Sequence, residues 1–345
     1  VKILDNVISS VATSPAIAIT GATATGYLIQ RNRLGVNAFG VPTVAFRNGT
    51  GIQIGGGSGG HQIGSSGGSS ASNLITNSDD AGVWITTTAG TGNLVRPNQI
   101  FDNGKSGVGM GIDIGVLGQS SNDPLDPDTG PNNGQNWPQI TASLPNPDGT
   151  REVTVTLDSK PNTNFRIDIY RAPDCPAGNR GGNMLNRIGG FAAPTNGAGQ
   201  MTTTVTVNGG GSPGLLVATA TNQVTGDSSE PGLCFIEPAA TTTTITNDSP
   251  DASQFGQPYT VTVLVTSPVG TPSGSVTISD GLGNQCTDDT LSGGIGSCQL
   301  LSTSVGNKTL TANYLGSFTH APSSDTEPHA VVAATTTTTI VSDLP

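Results

Sequence analysis

Cationic residues are scarce in this sequence. Lys and Arg together number 13 among 345 residues, against 24 Asp and Glu, and the net charge is −11. Such a chain cannot present the clustered cations that a phosphate backbone needs, which excludes nucleic acid as a partner. Aromatic residues make up only 4 %. No apolar run reaches the ~18 residues that a membrane-spanning helix requires. Acyl-transfer, zinc-protease and phosphate-loop motifs of the GxSxG, HExxH and Walker type are absent in their flanking contexts. Long helices are excluded as well, because 49 Gly and 23 Pro oppose them.

What is present is Thr, Ser, Asn, Gly and short aliphatic strands. In the first 115 residues a motif of alternating aliphatic positions recurs: Ile17-Ala18-Ile19, Ile52-Gln53-Ile54, Val83-Trp84-Ile85 and Ile112-Asp113-Ile114. The last three are opened by Gly51, Gly82 and Gly111, and the steps are 35, 31 and 29 residues. Shorter apolar pairs lie between them: Val7-Ile8, Leu28-Ile29, Leu74-Ile75 and Leu94-Val95. Repetition at a nearly fixed period outranks local propensity. Three short strands per coil, stacked coil on coil, bury one continuous aliphatic column. The expected fold is therefore all-β, opening with a right-handed parallel β-helix over residues 1–118. Asn6, Asn73, Asn93 and Asn98 sit at its turns, where stacking can align them into ladders.

Residues 119–150 form a Pro/Asp/Asn-rich connector, expected to close the column through Trp137 and Ile140. Residues 151–236 alternate as strands of a β-sandwich, with Glu152–Leu157, Phe165–Tyr170, Met201–Val207 and Leu215–Thr221 the clearest. Residues 237–332 repeat that pattern as a second, Ig-like sandwich. Residues 333–345 contain a copy of its first strand: Thr336–Pro345 matches Thr241–Pro250 at an offset of 95 residues. The sequence thus reads as a piece of a longer chain or a processed form.

Four stretches support a resemblance. They are Asn48–Gly55 with Asn73–Ile85, then Asp123–Asn133 with Trp137–Ile140, then Thr241–Pro250, and finally Pro272–Asp280. Together they resemble large secreted bacterial surface proteins with a right-handed β-helix of pectate-lyase-like repeats followed by bacterial Ig-like repeats. The resemblance implies a scaffold or adhesive role more than a chemistry.

Candidate sites follow from residue type and spacing. Cys175, Cys234, Cys286 and Cys298 fall as two separated pairs without metal spacing. The favoured pairing is Cys175–Cys234 with Cys286–Cys298, which would imply an oxidising compartment; free buried thiols are the other reading. Asp123, Asp126, Asp128 and Asn132 place oxygen ligands along a glycine-containing loop. Such a loop could hold Ca²⁺, or it could be a Pro-rich turn closed by Asx bonds. If the coils are in register, Ala18, Gln53, Trp84 and Asp113 form an outward stripe. That stripe is either a sugar-binding patch on Trp84 or a solvated face with one aromatic. It offers one carboxylate and no base, short of the pair that glycoside hydrolysis needs. Thr336, Thr338 and Ile340 mark an assembly strand able to add to the sheet edge of a neighbour. The function expected is a secreted or cell-surface structural or adhesive protein, a stalk or filament subunit. Its partners would be head-to-tail copies of itself, other surface proteins, or polysaccharide. A carbohydrate-binding module is the alternative, and a polysaccharide-degrading fragment comes after it.

Overall fold

The computed structural model describes residues 1–146, 148–175, 181–209, 214–317 and 319–342. The chain divides into two compact units, Val1–Phe235 and Ile236–Pro345. Both are built from strands, and no helix among the described residues is long and apolar enough to cross a membrane.

The first unit opens with three parallel four-stranded sheets, each contributing one strand to each of four successive coils. Sheet A holds Lys2–Leu4, Leu28–Gln30, Gln62–Gly64 and Leu94–Arg96. Sheet B holds Val7–Ile8, Arg33–Leu34, Leu74–Thr76 and Gln99–Phe101, and sheet C holds Pro15–Thr20, Thr50–Gly55, Val83–Thr86 and Ile112–Gly115. The register is set by like residues stacking on like. Ile19, Ile54, Ile85 and Ile114 are consecutive partners in sheet C, as are Ile8, Leu34, Ile75 and Ile100 in sheet B. Ile3, Ile29, Ile63 and Val95 do the same in sheet A. A slip of one residue would turn each aliphatic row outward, so burial of the column specifies the pairing. Two of the opening glycines, Gly51 and Gly82, are required by close approach. A Cβ on Gly82 would lie 2.3 Å from Ile100 Cγ2, and one on Gly51 would lie 2.5 Å from Ile75 Cγ2.

Ile85 is fully buried in the middle of this column. An Ile85→Asp substitution would place a carboxylate among aliphatic rows with no partner, and a loss of roughly 3 kcal/mol or more is expected. Urea unfolding of the two proteins checks this; a variant as stable as its parent would show that Ile85 does not lie in the column.

Asparagines hold the corners. Asn6, Asn32, Asn73 and Asn98 form a ladder. The Oδ1 atoms of Asn32, Asn73 and Asn98 each accept both the backbone N–H and the Nδ2–H of the asparagine one coil before, at 2.9–3.1 Å. A second corner runs from His61 N–H to Asn93 Oδ1, and from Asn93 to Asn132 Oδ1. A third uses Asn48, Asn103 and Asn183 as acceptors for Val11, Ser78 and Asn103 N–H. These side chains satisfy donors that a turn inside a stack hides from water.

The rest of the first unit is a sandwich of two antiparallel sheets. One holds Gln139–Pro145, Thr150–Asp158 and Gln200–Asn208. The other contains Asn186–Pro194, Asn164–Ala172 and Leu215–Asn222. Phe165, Ile167, Ile169, Leu216 and Ala218 face the sandwich interior. The alternate residues Tyr170, Ala172 and Val217, with Met184 and Cys234, pack instead onto the aliphatic column. The second sheet is therefore buried on both faces. This corrects the expectation that Trp137 and Ile140 close the column: Ile140 belongs to the sandwich core. The closing contact is completed by Ile100 and Met184, whose backbones exchange hydrogen bonds of 2.8 and 2.6 Å.

The second unit is also a two-sheet sandwich. Thr242–Ser249, Tyr259–Thr266 and Ile295–Leu300 form one sheet. Ser253–Gln254, Ser323–Val332, Gly306–Tyr314, Val276–Ser279 and Gln285–Asp288 form the other, in that spatial order. Val261, Val263, Ile278, Leu310 and Tyr314 fill the space between them.

Candidate functional site

The outward stripe of sheet C is in register, with Ala18, Gln53, Trp84 and Asp113 consecutive partners. Gln53 and Trp84 are half-buried, and the Trp84 indole N–H donates to Gly115 O at 2.9 Å. Asp113 departs from the expectation: it is fully buried, not part of an open face. Two covers produce this. The chain after the strand folds back, so that Gly118 N–H reaches Asp113 Oδ2 at 2.9 Å. Glu230 comes in from the sandwich, its Oε1 accepting Ile114 N–H and its Oε2 accepting both the N–H and the Oγ–H of Ser120. Asp113 Oδ1 has no hydrogen-bond partner. Burial pushes the Asp113 carboxyl up to about 7; the Gly118 bond opposes this, and the charges of Glu230 and Asp80 add to it. Burial also raises Glu230, against its three hydrogen bonds.

Beside this pair lies a cleft of about 850 Å³, lined by Val108, Ile114, Val116, Gln119, Ser120 and Trp137 among others. Asn122 brackets the Trp137 backbone, accepting its N–H and donating to its carbonyl, and the indole N–H donates to Ser120 O. The ring is thus held in place before any ligand arrives.

The acidic loop is committed internally only in part: Asp123 Oδ1 and Asp126 Oδ1 are buried without a hydrogen-bond partner. Asp126 is fully buried, and its Oδ2 accepts hydrogen bonds from Ser159 Oγ at 2.5 Å and Gln135 Nε2 at 3.0 Å. Burial raises its carboxyl, against the Ser159 and Asn136 bonds. Asn132 is spent on the corner ladder: its Oδ1 accepts from Asn93, and its Nδ2 donates to Asn93 O and Ser228 O. The structure therefore does not offer Asn132 as a fourth oxygen beside Asp123, Asp126 and Asp128.

Cys175 is joined to Cys234 and Cys286 to Cys298, with Cα–Cα distances of 5.7 and 5.9 Å. The second bridge links Gln285–Asp288 to Ile295–Leu300, and so staples the two sheets of its sandwich. Thr336, Thr338 and Ile340 lie outside the strands and are exposed, Ile340 by 82 %. The end of the copied motif, residues 343–345, lies outside the described residues.

Two polar clusters carried no sequence signal. Buried Asp168 accepts from Arg96 Nε and Arg187 Nε, each at 2.6 Å, with Arg166 at 3.6 Å. Arg166 shares the strand of Asp168, but Arg96 and Arg187 come from two other strands, and no spacing announces their meeting with Asp168. In the second unit, ligand atoms of Asp248, Asp251 and His329 lie within 4.8 Å of one another, the one such group among the described residues.

Comparison with known proteins identifies the second unit. Residues 245–338 match the family model of the bacterial Ig-like domain (group 3). A search of curated proteins finds no match to the chain. Among solved structures, red sea bream transglutaminase is similar at 12 % identity and TM-score 0.24, over 59 % of this chain and 32 % of that one. The D0–D1 domain of intimin is similar at 20 % identity and TM-score 0.20, over 55 % of this chain and 98 % of that one. A tetra-tandem repeat from the extending region of a large adhesion protein is similar at 17 % identity and TM-score 0.23, over 57 % and 50 %. The chain spans about a third of the length of the transglutaminase.

Proposed function

We propose that this chain is an extracellular structural or adhesive part of a bacterial surface protein, a stalk or filament subunit. Its N-terminal part would be a right-handed β-helix and its C-terminal part an Ig-like module. The observation that carries the reading is the bacterial Ig-like match together with the copy of that module's first strand at Thr336–Ile340, 95 residues after Thr241–Ile245. The two disulfides suit an oxidising compartment outside the cell. The cation-poor surface suits a scaffold that stays soluble without binding polyanions.

Assembly would use the copied strand. In the second unit Thr243 pairs with Val265 and Ile245 with Val263. Thr338 and Ile340 stand at the corresponding positions of the copy, so an exchanged strand would place Ile340 opposite a neighbour's Val263 by displacing that neighbour's own Thr242–Ser249, which pairs there now. Such head-to-tail contact does not close on itself and gives an open fibre. The test is a chain cut after Ala334, examined beside the full chain by electron microscopy and sedimentation. Filaments from the full chain alone are expected. Identical filaments from both would rule out strand exchange, and two monomers at high concentration would leave only a tethered stalk.

A second reading, a carbohydrate-binding surface, draws on the fixed Trp137 ring beside an uncharged cleft. The indole offers a stacking face, and Gln119 and Ser120 offer hydrogen-bonding partners.

A further inference from the structure

The group formed by Asp248, Asp251 and His329 lies where the first strand of the Ig-like unit meets its last. His329 Nδ1 is 2.9 Å from Asp248 Oδ2 and 3.5 Å from Asp251 Oδ1. The 2.9 Å separation is that of a hydrogen bond, and the three groups lie within 4.8 Å of one another, close to the roughly 3.4 Å spacing of ligands held at ~2.1 Å around a tetrahedral cation. The His329 side chain is fully buried and fixed from outside the group. Its Nε2 is 2.9 Å from Ser253 Oγ, and its ring stacks on Tyr259 at 3.8 Å between centroids. With Nε2–H donating to Ser253, the Nδ1 lone pair points at the two carboxylates. This is the orienting bond that metal-ligating histidines receive from behind.

The local charge is unbalanced. Asp325 and Glu327 precede His329 at alternate positions of the same strand, and so share its face. Asp325 Oδ2 accepts Ile245 N–H. Lys308 stands opposite His329 across the sheet, but its Nζ is turned to Ser304 Oγ and Val305 O. Two carboxylates thus face one imidazole, with two more along the same face of its strand. Asp251 is 44 % exposed, which leaves a way in from solvent.

We propose that Asp248, Asp251 and His329 bind a divalent transition-metal cation of the Zn²⁺ class. An imidazole nitrogen among the ligands selects such a cation over Ca²⁺, which takes oxygen ligands. Bound there, the ion ties Thr242–Ser249 and the turn after it to Ser323–Val332, and so joins the two sheets of the module.

The test is calorimetric titration of the full chain with ZnCl₂ after removal of metal by chelator. All four cysteines are in disulfides, so no thiol competes. One Zn²⁺ per chain is expected, with affinity at least ~tenfold weaker in Asp251→Asn and in His329→Gln. Excess CaCl₂ is expected not to displace it. Asp251 is exposed, so its variant keeps the test open should the His329 change fail to fold; its melting in chelator should match the parent's. Absence of saturable binding, unchanged affinity in Asp251→Asn, or equal displacement by Ca²⁺ would each overturn the proposal.

Discussion

An Asp113→Asn protein is expected to be more stable than its parent by about 2–4 kcal/mol at pH 8, and equally stable near pH 4. The sign follows from linkage. Burial raises the folded carboxyl from 3.8 to about 7. Between those values the folded state holds a proton that the unfolded state releases. The favourable contribution is therefore complete below the unfolded value and is lost as pH rises through the folded one. Above about 7 the folded protein carries a buried carboxylate with one oxygen unpartnered, beside Glu230. Asparagine keeps an acceptor for Gly118 N–H and carries no charge. Urea denaturation of both proteins from pH 4 to pH 8 measures the difference. Parallel curves across that range would show that Asp113 reaches solvent.

Loss of the Asp168 carboxylate should be the most damaging polar change in the first unit. Asp168→Ala would leave Arg96 without its charged partner, with Arg187 and Arg166 beside it, all at the junction of Leu94–Arg96 with Asn164–Ala172. Removing one partner of a buried ionic group costs about 3–5 kcal/mol, because the other charges stay buried. The loss should appear as one earlier unfolding transition of the whole first unit, since its two parts share a core. A double change, Arg96→Met with Asp168→Leu, should recover part of it. A single variant within 1 kcal/mol of the parent, on the scale of an exposed pair, would mean that the cluster is solvated.

The rows Ile17/Ile52 and Ile19/Ile54/Ile85/Ile114 were legible in the sequence because a one-dimensional core repeats its own residues. The ladder was partly legible: Asn6 and Asn73 precede aliphatic pairs, and Asn98 precedes Gln99-Ile100. Asn32 precedes Arg33-Leu34 instead, and its place appears only once the coils are stacked. What closes the column was not legible. Phe165–Tyr170 and Leu215–Thr221 alternate as if one face met water, and Asp168 and Thr219 reinforce that reading. Yet Asp168 is covered by arginines from other strands, and Thr219 is buried. Asp113 failed for the same reason, since its cover includes Glu230, more than a hundred residues away. Strand periodicity reports which faces differ, not whether the polar face finds a partner. The His329 group lay beyond sequence reading too, because a loop and two strands supply its members.

The doubly buried sheet also gives the coil stack a growth polarity. At the fourth coil, Ile100, Ile112 and Ile114 share a cluster with Tyr170, Met184 and Val217. A duplicated coil inserted there would have to prise the sandwich away and rebuild an interface fitted to those side chains. Away from that junction, a duplicated coil joins by repeating the asparagine corner and the aliphatic row already in place. Relatives of different reach should therefore differ in coil number within the stack and keep the capped end unchanged.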